Sequence, residues 1–144
     1  MTARILIGIA IACVLASGCS ESKSPASLVT FTPYSQNAFD AALGKGAPVV
    51  VLGTAPSWCH YCVLLQKGAF SDPGVKAALD PFTKLVIDFS DKAPAEKAML
   101  IAQQMTTGLP ALVFYDAKGN EVARVEGNQP ASAIIELAKK ATGG

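Results

Sequence analysis

Residues 47–54 read APVVVLGT: after Pro48 come three valines and a leucine with no polar residue alternating between them. A strand with one face in water alternates apolar and polar side chains. A run apolar on both faces belongs in the middle of a sheet covered on both sides. That run restricts the chain to a layered α/β arrangement, and the neighbouring segments agree with it. LVTF at 28–31 is a candidate first strand, and NAFDAALGKG at 37–46 reads as a helix closed by glycine. SDPGVKAAL at 71–79 predicts further helical turns, capped by Ser71 or Asp72 with Pro73 in the first turn. TKLVIDF at 83–89 predicts a second central strand. SDKAPAEKAMLIAQQM at 90–105 sets Ala98, Ile101, Ala102 and Met105 at helical spacing and predicts an amphipathic helix. ALVFYDAKGNEVARVEG at 111–127 predicts two strands joined by a turn over DAKGN. A last helix from about Pro130 carries Ile134, Leu137, Ala138 and Ala141 on one face and ends in two glycines.

The 144 residues suffice for one domain whose core sustains folding without a framework of cross-links. Twelve basic and eleven acidic side chains leave a formal net charge of +1. The lysines stand singly near acids instead of forming a basic stripe with aromatics between them, which argues against a nucleic-acid partner. The amino terminus predicts export. Met1–Arg4 gives a short positive start, Ile5–Ala16 is apolar and uncharged, and small residues lead to Cys19. The apolar run is shorter than the roughly twenty residues that span a bilayer as a helix. LASGC at 15–19 resembles the lipobox of bacterial lipoproteins, which implies residues 1–18 as a signal peptide and lipid on Cys19. Ala16 stands where leucine is usual, so ordinary cleavage nearby, giving a soluble periplasmic protein, stays open as a second reading. Ser20 fits the outer-membrane sorting class of a Gram-negative host. Residues 19–27, polar and serine-rich, read as a tether, and 28–144 as the domain. Under lipidation Cys13 leaves with the signal and Cys19 becomes a thioether. Cys59 and Cys62 remain as the pair able to cycle.

The valine run leads directly into APSWCHYC at 55–62, where a helix is predicted to begin at or near Cys59. Cysteines at i and i+3 of a helix start can close a small disulfide, and the first lies where backbone N–H groups point outward without partners. The positive end of the helix favours the thiolate of Cys59. Cys59 is therefore the attacking sulfur, Cys62 the resolving one, and His60 between them a tuning group. Stabilising that thiolate makes the disulfide a better oxidant. The same residues have other uses to weigh. Cys59, His60 and Cys62 offer at most three zinc ligands and the chain has no second histidine, so structural zinc is disfavoured. Copper(I) between two thiolates fits on softness. A lipoprotein carrying copper(I), or docking a partner through this surface without turnover, is the alternative function. Haem attachment needs a histidine after the second cysteine, where Val63 stands. A purely structural disulfide is a third reading, although so short a loop removes little unfolded-state entropy.

The stretches VVVLGTAPSWCHYC, FSDPGVKAAL, KLVID and GLPALVFYDAKGNEVARVEG together resemble the thioredoxin superfamily, and within it the carboxy-terminal domains of the DsbD family and related periplasmic proteins. The resemblance covers most of the chain after the tether. It implies a thioredoxin-like α/β fold, a central mixed sheet flanked by helices, and thiol–disulfide exchange with protein partners on the periplasmic side of a membrane. No cofactor is needed, because the domain carries its own thiols. The resemblance also implies that Pro110 follows a cis peptide bond and lies against the cysteines, and that Leu109 offers backbone hydrogen bonds to a partner chain. Electrons would pass to or from a membrane protein of the DsbD kind. Trp58 and Tyr61 read as an apolar rim that receives a partner or as ordinary half-buried aromatics, and the match of Trp58 to the motif favours the rim. Two positions depart from the pattern. Gly53 stands where thioredoxins commonly bury an acid, so Lys84, which matches the lysine accompanying that acid, is left with either a catalytic or a plain surface role. His60 and Tyr61 replace Gly-Pro, which leaves the direction of electron flow open.

Overall fold

The valines of the 47–54 run take the centre of a sheet. The computed structural model describes residues 26–90 and 108–143. In chain order its elements are β1 (Thr32–Pro33), α1 (Gln36–Gly44), β2 (Val49–Thr54), α2 (His60–Lys67), a 3-10 turn (Ala69–Ser71), α3 (Pro73–Leu79), β3 (Thr83–Asp88), β4 (Ala111–Tyr115), β5 (Glu121–Glu126) and α4 (Ala131–Thr142). The five strands lie in the order β1-β3-β2-β4-β5. β3 runs parallel to β1 and β2, while β4 is antiparallel to β2 and β5, so the sheet is mixed as expected. The signal region, Cys13, Cys19, nearly all of the tether and all but the first residue of the helix expected over 90–105 lie outside the described residues.

Val49, Val50 and Val51 have no exposed surface. Val50 and Leu52 join Leu65, Phe70, Phe114 and Ile134 on one face, and Val49 and Val51 join Phe39, Leu85, Val113 and Tyr115 on the other. Burying each valine stabilises the fold by roughly 1.5–3 kcal/mol, which is why the run admits no polar residue.

Local chemistry sets the ends of the elements. The Ser35 hydroxyl accepts from the Ala38 N–H and starts α1. Asp72, not Ser71, caps α3, its carboxylate accepting from Gly74 N at 2.7 Å and Val75 N at 3.2 Å, with Pro73 in the first turn. α2 stops at Gly68, where a Cβ would sit 2.9 Å from the Leu64 carbonyl oxygen. In the β4–β5 turn the Asp116 carboxylate accepts from Lys118 N and Asn120 N, and Gly119 takes φ +85°.

One strand lies elsewhere than LVTF suggests. Val29 is buried and the Leu28 N–H donates to Phe70 O at 2.7 Å, so this segment packs against the 3-10 turn instead of joining the sheet. Pairing with β3 covers Thr32 and Pro33, and the Tyr34 N–H donates to Val86 O at 2.8 Å. Lys84 is neither an exposed lysine nor one turned toward the cysteines. It is partly buried, and its ammonium donates to Leu79 O at 3.1 Å and Phe82 O at 3.2 Å, at the carboxyl end of α3.

Candidate active site

β2 ends at Thr54, whose carbonyl accepts from Phe89 N at 2.8 Å, so the ends of β2 and β3 stay together. The chain then turns tightly, with both Trp58 N and Cys59 N donating to Ala55 O. Cys59 is the N-cap of α2: its backbone is extended, and its sulfur accepts from Cys62 N at 3.2 Å. A sulfur takes the place that a serine or aspartate oxygen commonly fills, so an amide of the first turn points at it. Cys59 and Cys62 form a disulfide with their Cα atoms 5.3 Å apart.

The surroundings of the two sulfurs differ from the surface a few ångströms away. Ala55, Cys59 and Cys62 form a small apolar cluster to which Phe89 and Leu109 contribute. Cys62 is 1% exposed and Cys59 8%. Outside this cluster Trp58 is 64% and Tyr61 59% exposed, so both are open aromatics and not half-buried ones. Trp58 is not loose, however, because its indole N–H donates to Phe89 O at 3.4 Å and the preceding Ser57 N donates to the Ser90 hydroxyl at 3.3 Å. His60 is exposed in the first turn of α2, with its ring 6.0 Å from that of Tyr61.

The bond between Leu109 and Pro110 is cis, as the resemblance implied. Leu109 reaches the cysteine cluster, and Pro110 O accepts from Gly127 N at 2.7 Å, which fixes this loop to the end of β5. Trp58, Cys59, His60, Tyr61 and Cys62 therefore come from one continuous stretch, and Leu109, with Pro110 next to it in the chain, is brought to the cysteines across the sheet. Gly53 lies on the face beneath the cluster, opposite Ile87 and Ala111, and brings no acid there. Among the described residues no three His, Cys, Asp or Glu side chains converge as metal ligands. None of the described helices is long and apolar enough to cross a membrane.

Sequence reasoning missed Phe89, which both packs on the cysteines and holds Trp58. Its signal was available: in a parallel pair the carboxyl ends of both strands arrive at the same edge, so an apolar residue just past β3 lands beside the residues just past β2.

Comparison with known proteins agrees with this geometry. A model of the thioredoxin-like domain matches residues 35–142. The thiol:disulfide interchange protein DsbD of Cronobacter sakazakii is 38% identical over 95 residues, which cover 65% of this chain and 16% of that protein. For DsbD of Pectobacterium atrosepticum the identity is 35% over 104 residues, covering 70% of this chain and 18% of the relative. The chain thus spans only about a sixth of the length of the curated relatives it matches. Among solved structures, the reduced c-terminal domain of Neisseria meningitidis DsbD superposes with a TM-score of 0.62 at 25% identity, covering 74% of this chain and 92% of that one. A DsbH oxidoreductase gives 0.61 at 26% identity, with 81% and 86% covered. With the Cys59–Cys62 disulfide set at the start of α2 and a family model that covers residues 35–142, the chain belongs to the thioredoxin-like family.

Proposed function

We propose that this chain is a thiol–disulfide oxidoreductase that exchanges disulfides with protein partners outside the cytoplasm, with Cys59 as the sulfur that meets the partner and Cys62 as the one that resolves. The observation that carries the assignment is the difference between the two sulfurs. Cys59 retains some exposure and receives an amide of the first turn, whereas Cys62 lies behind it with almost none. In the reducing direction the Cys59 thiolate attacks a partner disulfide, forms a mixed disulfide and expels one partner thiolate. Cys62, having given up its proton, then attacks Cys59, closes the intramolecular bond and releases the second partner thiolate. Two electrons pass to the partner, and the oxidising direction is the reverse sequence. Trp58 and Tyr61 receive the partner at the rim, with His60 tuning the thiolate, and an extended partner segment bonds to the backbone of Leu109 beside Pro110. Lipid on Cys19 holds the domain at a bacterial membrane, and a membrane protein of the DsbD kind supplies or takes the electrons. Similarity to DsbD and the leader-like start of the sequence support that setting.

The test is Cys62→Ser in the native host. A mixed disulfide stalled at Cys59 is expected, and its mass identifies the partner. In parallel the wild-type chain reduces insulin and Cys59→Ser does not. Tight copper(I) binding with no exchange in either assay would favour the carrier reading in its place.

A further inference from the structure

A cavity of about 390 Å³ lies on the α2 side of the sheet, against the upper ends of β2 and β3. The register pairs Leu52 with Val86 and Thr54 with Asp88, and alternation along each strand puts these four side chains on one face. Val29, Phe31 and Phe70 add apolar wall, and Gln66 of α2 adds an amide. The lining shares no residue with the cluster of Ala55, Cys59, Cys62, Phe89 and Leu109, so this is a second site and not a part of the first.

Two polar groups in this apolar surrounding lack partners. Thr54 is 3% exposed, and its hydroxyl makes no hydrogen bond with a described residue. Among the described residues no unpaired side-chain nitrogen or oxygen is sealed from solvent, so that hydroxyl opens on the cavity and takes its partner from whatever fills it. Asp88 is exposed where β3 ends. Its Oδ1 accepts from Ser90 N at 2.8 Å, and Oδ2 has no partner among the described residues. None of the described residues lining the cavity is basic. Lys84, on the same face of β3, gives its ammonium to Leu79 O and Phe82 O instead.

We propose that this cavity binds a small organic cation, a guanidinium or ammonium on a short alkyl stem. Paired neighbours on adjacent strands stand about 4.8 Å apart, a gap that the forked N–H groups of a guanidinium bridge. One N–H meets Asp88 Oδ2 and another the Thr54 hydroxyl. The stem then lies on Leu52 and Val86, the next pair down the strands, with Phe70 beside them. A molecule with its charge at the opening and its tail inward fits this order of polar and apolar pairs, whereas an arginine of a protein partner would have to enter head first.

The test titrates the full chain, in its disulfide form, with n-butylguanidinium and follows backbone amide signals by nuclear magnetic resonance. Signals of Leu52, Thr54, Val86 and Asp88 are expected to move, with a Kd on the order of 1–10 mM for so small a ligand. Methylguanidinium, which lacks the stem, and pentanoate, which reverses the charge, are expected to bind at least about fivefold more weakly. Asp88→Asn keeps the acceptor for Ser90 N and removes the charge, and Thr54→Val keeps the shape and removes the hydroxyl. Each is expected to weaken binding about two- to tenfold. Pentanoate binding as well as the cation overturns the proposal, as do shifts confined to residues away from the cavity. An unchanged Kd in both variants, each melting like the wild type, overturns it too. None of these readings uses thiol chemistry, so a failure here leaves the exchange reading standing, and a failure of exchange leaves this site standing.

Discussion

Replacing Lys84 by methionine separates a role in folding from a role in chemistry. Methionine keeps an apolar stem of similar length and removes only the ammonium. Residue 84 stands four places before Asp88 in β3, and at about 3.3 Å per residue that puts it roughly 13 Å down the strand from the end that abuts Cys59. Its two bonds go to Leu79 O and Phe82 O, away from that end. A hydrogen bond contributes about 0.5–1.5 kcal/mol net, with charged donors at the upper end, and a cation at a helix carboxyl terminus adds about 0.3–1 kcal/mol. Partial exposure discounts both, so Lys84→Met is expected to cost about 1–2 kcal/mol. In a domain of this size that lowers Tm by roughly 4–8 °C. Urea melts and insulin reduction on the same preparation check it: stability falls, and exchange below the melting range stays within about twofold of wild type. A tenfold loss of exchange with unaltered stability would refute the reasoning and make Lys84 a participant at the cysteines.

Two further perturbations test the frame around the site. Asp72→Ala removes the acceptor of two first-turn amides of α3 and is expected to cost about 1 kcal/mol in a urea melt, with exchange retained. Burial, reinforced by Tyr115 and Asp40, pushes the Tyr34 phenol up to about 12. An unfolded tyrosine ionises near ~10, so below that value this contribution is fully present. As the pH rises from about 10 through 12 the unfolded chain releases a proton that the native one holds, and stability falls across that window. Tyr34→Phe is expected to flatten the fall in brief urea unfolding over that range, and an unchanged slope would count against the burial argument.

What could be read from the sequence is what neighbouring residues decide. The unalternating valines announced a strand covered on both faces, Asp72 and Pro73 announced a helix start, and two cysteines three apart after that strand announced a disulfide at a helix terminus. The cis bond before Pro110 came from the resemblance alone, since most X-Pro bonds are trans and nothing in the neighbouring residues marks the exceptions. Features that depend on which distant segments meet were not legible. The bond from the Trp58 indole to Phe89 O spans 31 residues, and Lys84 finds its carbonyls only because α3 folds back over β3. The place of β1 failed for the same reason: LVTF has strand-forming residues, but the Phe70 carbonyl competes for its first amide and wins.

The reactive pair hangs from the strand with neighbours on both sides, β3 and β4, and apolar cover on both faces. Amides of such a strand open only when the whole domain does, so in a hydrogen-exchange experiment they belong to the last-protected unit of the protein. Heat should therefore abolish exchange in step with global unfolding, with no earlier fraying that leaves Cys59 detached from an otherwise intact molecule.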